Sequence, residues 1–431
     1  MSTLRIVNGR VLRPDLSIEH ADILIDQDHG TIDKIGPSLP PGDDELDASG
    51  CLVCPGLTNA HTHVAMTLLR GLADDKPLDA WLQEDIWPVE AALTEEDIRA
   101  GAKLGLLEMI RSGTTAIADM YFHVPHIVEA VKESGVRALL GHAAITVGKD
   151  AAAARDDLET SLAIAETYHG AADGRIRCAF QPHALTTVET AYLEEFVPQA
   201  RAAGVPIHFH ANETTDEVDP IVDEHGLRPL AYADELGLLG PDTFIAHGVH
   251  VTEEEIRVLA ETGTSVVHCP ASNMKLASGI APIQEMLDAG VSVGIGTDGA
   301  ASNNDLDLFD EMRDAAMSGK IRANSAAAVP AEAVVRMATE TGGTILGFGS
   351  GRLEAGAPAD CAVIDFEAPH LTPVHDYVSH LSYAVTGADV KHTVCDGSIL
   401  MRNRIVETLD EEAVMKEARE RASALVSRAR A

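Results

Sequence analysis

Lysine is scarce in this 431-residue chain, and none lies between Lys149 and Lys275. Acidic residues outnumber basic ones, 68 Asp and Glu against 32 Lys and Arg, for a formal net charge of −36. A surface this acidic repels nucleic acid and anionic membranes, so neither is expected as a partner. Acidic disorder is set aside by the 45% hydrophobic content and the regular apolar periodicity. The remaining reading is a hydrated, carboxylate-rich surface that stays soluble where concentrated salt screens its self-repulsion. The charge therefore points to a halophilic host.

Other absences narrow the class further. No apolar run approaches the roughly 18–20 residues of a membrane helix, and the start "MSTLRIVNGR" has no apolar signal core. A soluble, cytoplasmic protein is expected. The six cysteines are scattered, which fits a reducing compartment. Cys51-x-x-Cys54 has no second cysteine pair and lies within an apolar strand, which speaks against a zinc or redox role. There is no linker, low-complexity tract or tandem repeat.

Between residues 50 and 350, short apolar runs alternate with helical patterns. Eight strands are predicted: "CLVCPGLTNA", "TTAIADMY", "VRALLGHA", "RIRCAFQPHA", "VPIHFHAN", "FIAHGVH", "TSVVHCPAS" and "VSVGIGTDG". Two intervening helices have readable ends. Thr94 stands three before Asp97 and Thr252 three before Glu255, both capping-box spacings, and Gly113 and Gly263 mark the stops. This alternation predicts an α/β fold, a parallel (β/α)8 TIM-type barrel over residues 56–349. Residues 1–55 and 350–431 read instead as short antiparallel strands. They are expected to pair into one small β-sandwich-like domain built from both termini, with a helix at the end of the chain.

The polar residues favour a barrel over a doubly wound sheet, because they gather at strand ends. Strand one ends in His61 and His63, strand four in His183, strand five in "HFHANE", strand six in His247 and His250, strand seven in His268, and strand eight in Asp298. In a barrel these ends converge on one face, where active sites sit. His61, His63, His210 and Asp298 supply three imidazoles and a carboxylate, a suitable donor set for Zn²⁺ with water completing the shell. Such an ion lowers the pKa of water to about 7 and makes a hydrolytic site. A two-metal site bridged by a carbamylated lysine would need a lysine at a middle strand end, which the lysine-free stretch excludes. One divalent ion per chain is expected. Zinc is the first choice, although imidazole also suits Fe²⁺ and Mn²⁺. The H-x-E and P-C-x-x-C motifs of the small zinc deaminases are absent.

With this donor set in place, the chain resembles the amidohydrolase superfamily, and within it the methylthioadenosine/S-adenosylhomocysteine deaminase group. The stretches that carry the resemblance run in the family's order through nearly the whole chain: "PGLTNAHTHVAMTLLRGLADDKPLDAWL", "ADMYFH", "HFHANET", "IAHGVH", "HCPASNMKLASGIAPI", "GIGTDGAASNNDLDLFDEMR" and "GRLEAGAPADCAVID". The resemblance implies deamination of the adenine ring of 5′-substituted adenosines. Glu213 would take a proton from the attacking water and pass it to purine N1, while His247 and Asp298 would steady the nucleophile and help move its proton toward departing ammonia. Glu90 matches the carboxylate that receives the ribose hydroxyls, and Trp81 a pocket-wall tryptophan. His183 would face the nucleoside. His268 and Asn273 are expected to shape the loop after strand seven, and His208 to point away from the ligand face as a structural residue.

Two departures bear on the 5′ substituent. Relatives that hold a homocysteine carboxylate place an arginine after the third strand, where this chain has His142, a poorer carboxylate clamp than a guanidinium. Their "HSPY"-like stretch is here "HALT", residues 183–186. Arg155 is one candidate replacement for the clamp. The rival functions are hydrolysis of another ring substrate (guanine, cytosine or a triazine) and a non-catalytic metal-binding barrel. Glu90 favours a nucleoside over a free base, and the complete set of ligands and shuttle disfavours a non-catalytic barrel. Members of this fold often form dimers or tetramers, so a homo-oligomer is expected.

Overall fold

The computed structural model describes residues 2–431. Its first and last segments form two sheets around one core. The four-stranded sheet runs in the order Thr31–Gly36, Asp22–Asp26, Thr3–Val7, Asp44–Asp47. In Thr3–Val7 alternate residues are buried, as in a strand with one face on a core. In the seven-stranded sheet Cys361–Asp365 pairs antiparallel with Cys51–Pro55, from Cys361↔Pro55 to Asp365↔Cys51. Leu4, Ile6, Ile23, Ile25, Val53, Val363 and Val394 fill the space between the sheets.

The run "CLVCPGLTNA", expected as one strand, is two. Cys51–Pro55 belongs to the terminal sheet, and β1 (Leu57–Thr62) opens a second set of strands. Gly56 divides them, and a Cβ there would come within 2.2 Å of Thr115 Oγ1. Cys51 and Cys54 are buried free thiols, pushed up to about 11 and about 12 by burial, so neither is a ready thiolate.

After β1 come β2 (Thr114–Tyr121), β3 (Arg137–Ala144), β4 (Ile176–Cys178, resuming at Gln181–Pro182), β5 (Ile207–Ala211), β6 (Thr243–His247), β7 (Ser265–His268) and β8 (Val293–Ile295). Each pairs parallel with the next from β1 to β4 and from β5 to β8. Parallel bridges Phe180↔Ile207 and Ala184↔His210 join β4 to β5, and Asp298 N–H donates to His61 O (3.0 Å) to bring the segment after β8 back onto β1. Most of these strands are buried along their whole length, as expected where both faces are covered. The helices used below are α1 (Glu95–Arg111), α2 (Thr215–His225), α3 (Glu253–Thr262), α4 (Pro270–Lys275) and α5 (Glu411–Ala429). Thr94 with Asp97 and Thr252 with Glu255 both make the reciprocal capping box. Asp97 also pairs with Arg428, so α5 is fastened to α1.

Candidate active site

The strand ends bring His61, His63, His210, His247 and Asp298 together. Their donor atoms form two overlapping groups, His61–His210–His247 and His61–His63–Asp298, each with all atoms within 4.8 Å of one another. The set expected from sequence is therefore divided between two groups that share His61, and His247 stands at ligand range beside it. His247 and Asp298 adopt left-handed backbone angles, φ 74° and 59°, uncommon for residues with a Cβ and typical of functional positions.

Each of the three expected imidazole ligands is held by its Nδ1. His63 Nδ1 donates to Met120 O (2.6 Å) and His210 Nδ1 to His183 O (2.7 Å). His61 is held through a second histidine. Phe244 O can only accept, so His208 Nδ1 carries its proton (3.0 Å), and His208 Nε2 accepts from His61 Nδ1 (2.9 Å). Every Nε2 is thus directed inward. His61 Nε2 is buried and has no hydrogen-bond partner in the protein, as a metal ligand would be. Asp298 Oδ2 accepts from Ser272 Oγ (2.6 Å) and Ser302 Oγ (2.9 Å), while Oδ1 lies 3.1 Å from His63 Nε2. Burial opposes charge on His63, yet the Asp298 carboxylate outweighs it and lifts the imidazole to about 9. Burial instead pushes His61 down to about 4 and His210 well below the ordinary value, which keeps their Nε2 lone pairs free, and the donors fit one divalent ion.

His208 corrects the sequence reading. It does not point away from the ligand side, because residues two apart share a strand face; it lies deeper in the barrel and sets the tautomer of His61. Asn273 also does more than shape a loop, since its Oδ1 accepts from His247 Nδ1 (2.9 Å). His268 is buried with both ring nitrogens unpartnered, and burial pushes it down to about 3.

Glu213 stands just before α2, with one carboxylate oxygen 3.6 Å from His247 Nε2 and the other accepting from Ser278 Oγ (3.2 Å). Burial raises its pKa, and Asp298 adds to the rise. For His247 burial works the other way, but Glu213 and then Asp298 outweigh it, and the imidazole is raised. Two groups with raised proton affinity thus face each other beside the donor set.

A cavity of about 780 Å³ opens from this cluster. Glu90, Trp81 and His183 line it. Glu90 accepts from Tyr121 OH (2.5 Å), Trp81 Nε1 donates to Ala73 O (3.2 Å), and His183 Nδ1 is 3.0 Å from Thr187 Oγ1. His142 is a correction: it lies behind the wall, its Nε2 3.2 Å from Asp157, and takes no place in the cavity. Arg155 is held by both oxygens of Glu195 (2.8 and 2.6 Å) and is also off the wall. Among the described residues, no lysine or arginine lines the cavity. Trp87, Phe122, Val147, Leu185 and Val188 make much of its surface apolar.

Residues 52–400 match the amidohydrolase family. The chain is 68% identical over 430 residues, all of both chains, to the 5-methylthioadenosine/S-adenosylhomocysteine deaminase of Haloarcula marismortui. It is 44% identical over 413 residues to the 5′-deoxyadenosine deaminase of Methanothermobacter thermautotrophicus, covering 95% of this chain and 96% of the relative. Among solved structures, an adenosine deaminase from Xanthomonas campestris with bound zinc superposes with a TM-score of 0.94 at 37% identity, covering 99% of each chain.

Proposed function

Because the chain belongs to the amidohydrolase family, we propose that it is a metal-dependent deaminase converting the adenine ring of 5′-substituted adenosines to the inosine analogue and ammonia. The observation that carries this reading is Glu213 facing His247 at 3.6 Å beside the inward-directed His61, His63, His210 and Asp298. Those four residues would hold one divalent ion, with zinc supported by the zinc-containing relative. Such an ion supplies Lewis acidity that lowers the pKa of water to about 7.

The chain's own residues do the rest. Glu213 accepts a proton from the attacking water and delivers it to purine N1, which makes C6 electrophilic. Water oxygen bonds to C6, its remaining proton passes by way of His247 to N6, the C6–N6 bond breaks, and ammonia leaves as C6 becomes a carbonyl. Asn273 holds His247 so that Nε2 faces the reaction, and the raised proton affinity of His247 suits it to carry a proton toward the leaving nitrogen. Glu90, presented by Tyr121, is the acceptor for the ribose hydroxyls.

The 5′ end of the substrate meets a wall without a cation. Methylthioadenosine and 5′-deoxyadenosine are therefore the preferred substrates, ahead of S-adenosylhomocysteine with its carboxylate. Halophilic relatives and the −36 charge support an enzyme adapted to concentrated salt. Assembly into a dimer or tetramer belongs to the same proposal, supported by Met317 and Ile321, 45% and 75% exposed and four residues apart on one helix. A cytoplasmic location is supported by the free cysteines. No helix among the described residues is long and apolar enough to cross a membrane.

The test incubates metal-loaded protein at molar salt with methylthioadenosine, 5′-deoxyadenosine, adenosine, guanine and cytosine, and follows ammonia release. Turnover of the adenosines is expected. Turnover of the free bases alone would overturn the reading.

A further inference from the structure

We infer that Ser278, itself held by His250, is a positioning residue that fixes the rotamer of the proton shuttle Glu213. The inference rests on the deaminase reading above. A glutamate side chain has three rotatable bonds, and a shuttle that must meet water on one side and N1 on the other loses rate whenever it turns away. Glu213 is restrained at both ends. Its backbone N–H donates to Glu217 Oε2 (2.7 Å), in the first turn of α2, and its Oε1 accepts from Ser278 Oγ (3.2 Å). The second carboxylate oxygen is left facing His247.

Ser278 comes from the loop after α4, within "SNMKLASGIAPI", so its hold on Glu213 spans 65 residues. Two features dock that loop. His250 Nε2 donates to Ser278 O (2.7 Å), and the carbonyl can only accept, so this nitrogen carries the proton. Next to it Gly279 turns at φ +133°, where a Cβ would come within 2.8 Å of Val249 Cγ1. His250 is pinned in turn, because its carbonyl accepts from Asn212 Nδ2 (3.2 Å) and Arg228 (2.5 Å). A line of contacts runs from the loop after β6 to the shuttle without touching the expected metal ligands.

A serine that merely satisfies a buried carboxylate and one that aims a shuttle differ in a double-mutant cycle. Ser278→Ala should lower kcat by about tenfold or more, the usual weight of a hydrogen bond to a charged group, with KM and metal content nearly unchanged. In a Glu213→Gln background the same substitution should cost less than about twofold, since nothing remains to aim. Ser278→Thr and Ser278→Val match each other in volume, and only the threonine, which keeps the hydroxyl, should retain most of the rate. Equal rates for Thr and Val, or losses that multiply in the double variant, would overturn the inference. If Glu213→Gln alone remained fully active, the shuttle assignment would fall instead, which separates the two failures.

Discussion

Val147→Arg places a guanidinium on the cavity wall, in the loop after β3, whose one cation, Lys149, is held by Asp157 and does not line the cavity. Val147 lines the cavity and is 54% exposed, so the longer side chain has room to extend without displacing a core residue. A charge-assisted hydrogen bond to a carboxylate is worth roughly 1.5–3 kcal/mol in a protected site. Half exposure and molar salt, with a screening length of about 3 Å, bring the gain toward the lower end. About 1.4 kcal/mol is tenfold in kcat/KM. The unaltered enzyme should therefore process methylthioadenosine at least about tenfold better than S-adenosylhomocysteine, and the variant should recover about that factor on S-adenosylhomocysteine alone. The assay is kcat/KM for both substrates, side by side at molar salt, for both proteins. His142→Arg is a control expected to do nothing, because His142 lies behind the wall against Asp157. If S-adenosylhomocysteine is the better substrate of the unaltered enzyme, or Val147→Arg changes both substrates alike, the argument from the cation-free wall is wrong.

Further outcomes follow from the same geometry. Glu213→Gln should keep metal and substrate affinity while kcat falls about 10²–10⁴-fold; single-turnover rates at saturating substrate check this, and a normal rate removes Glu213 from the mechanism. His208→Leu removes the acceptor that fixes the His61 tautomer, so chelator competition should show metal affinity reduced about 10–100-fold, against no change if His208 only fills space. Metal analysis of washed protein should find one tightly held ion per chain, and two would contradict the lysine-free reading of the barrel. Dilution from molar to millimolar salt should cause loss of activity and of the folded circular-dichroism signal, since the −36 charge is then unscreened. Full activity in dilute buffer would refute the halophilic assignment.

Which donors this protein has, and roughly where they lie, is legible in the order of its residues. Apolar runs and caps are local signals, so the alternation of strands with helices could be read directly. His61, His63, His210 and Asp298 stand out because each lies at, or just after, the end of a buried strand. The chemistry of Glu213 and His247 became legible once the surrounding stretches resembled a family.

Tertiary structure decided what each of those groups touches. "CLVCPGLTNA" looks continuous, and only the pairing of Cys51–Pro55 with Cys361–Asp365 and the crowding of Gly56 against Thr115 reveal two strands. His208 supports His61 across 147 residues, Ser302 and Ser272 hold Asp298, and Ser278 reaches Glu213. His142, in the stretch where a clamp was expected, turns to Asp157 instead. The period of a strand tells which face a side chain takes, but the partner on that face depends on the stagger between strands and on loops arriving from elsewhere in the chain. Those are set by the packing of the whole barrel, and no local pattern of residues encodes them.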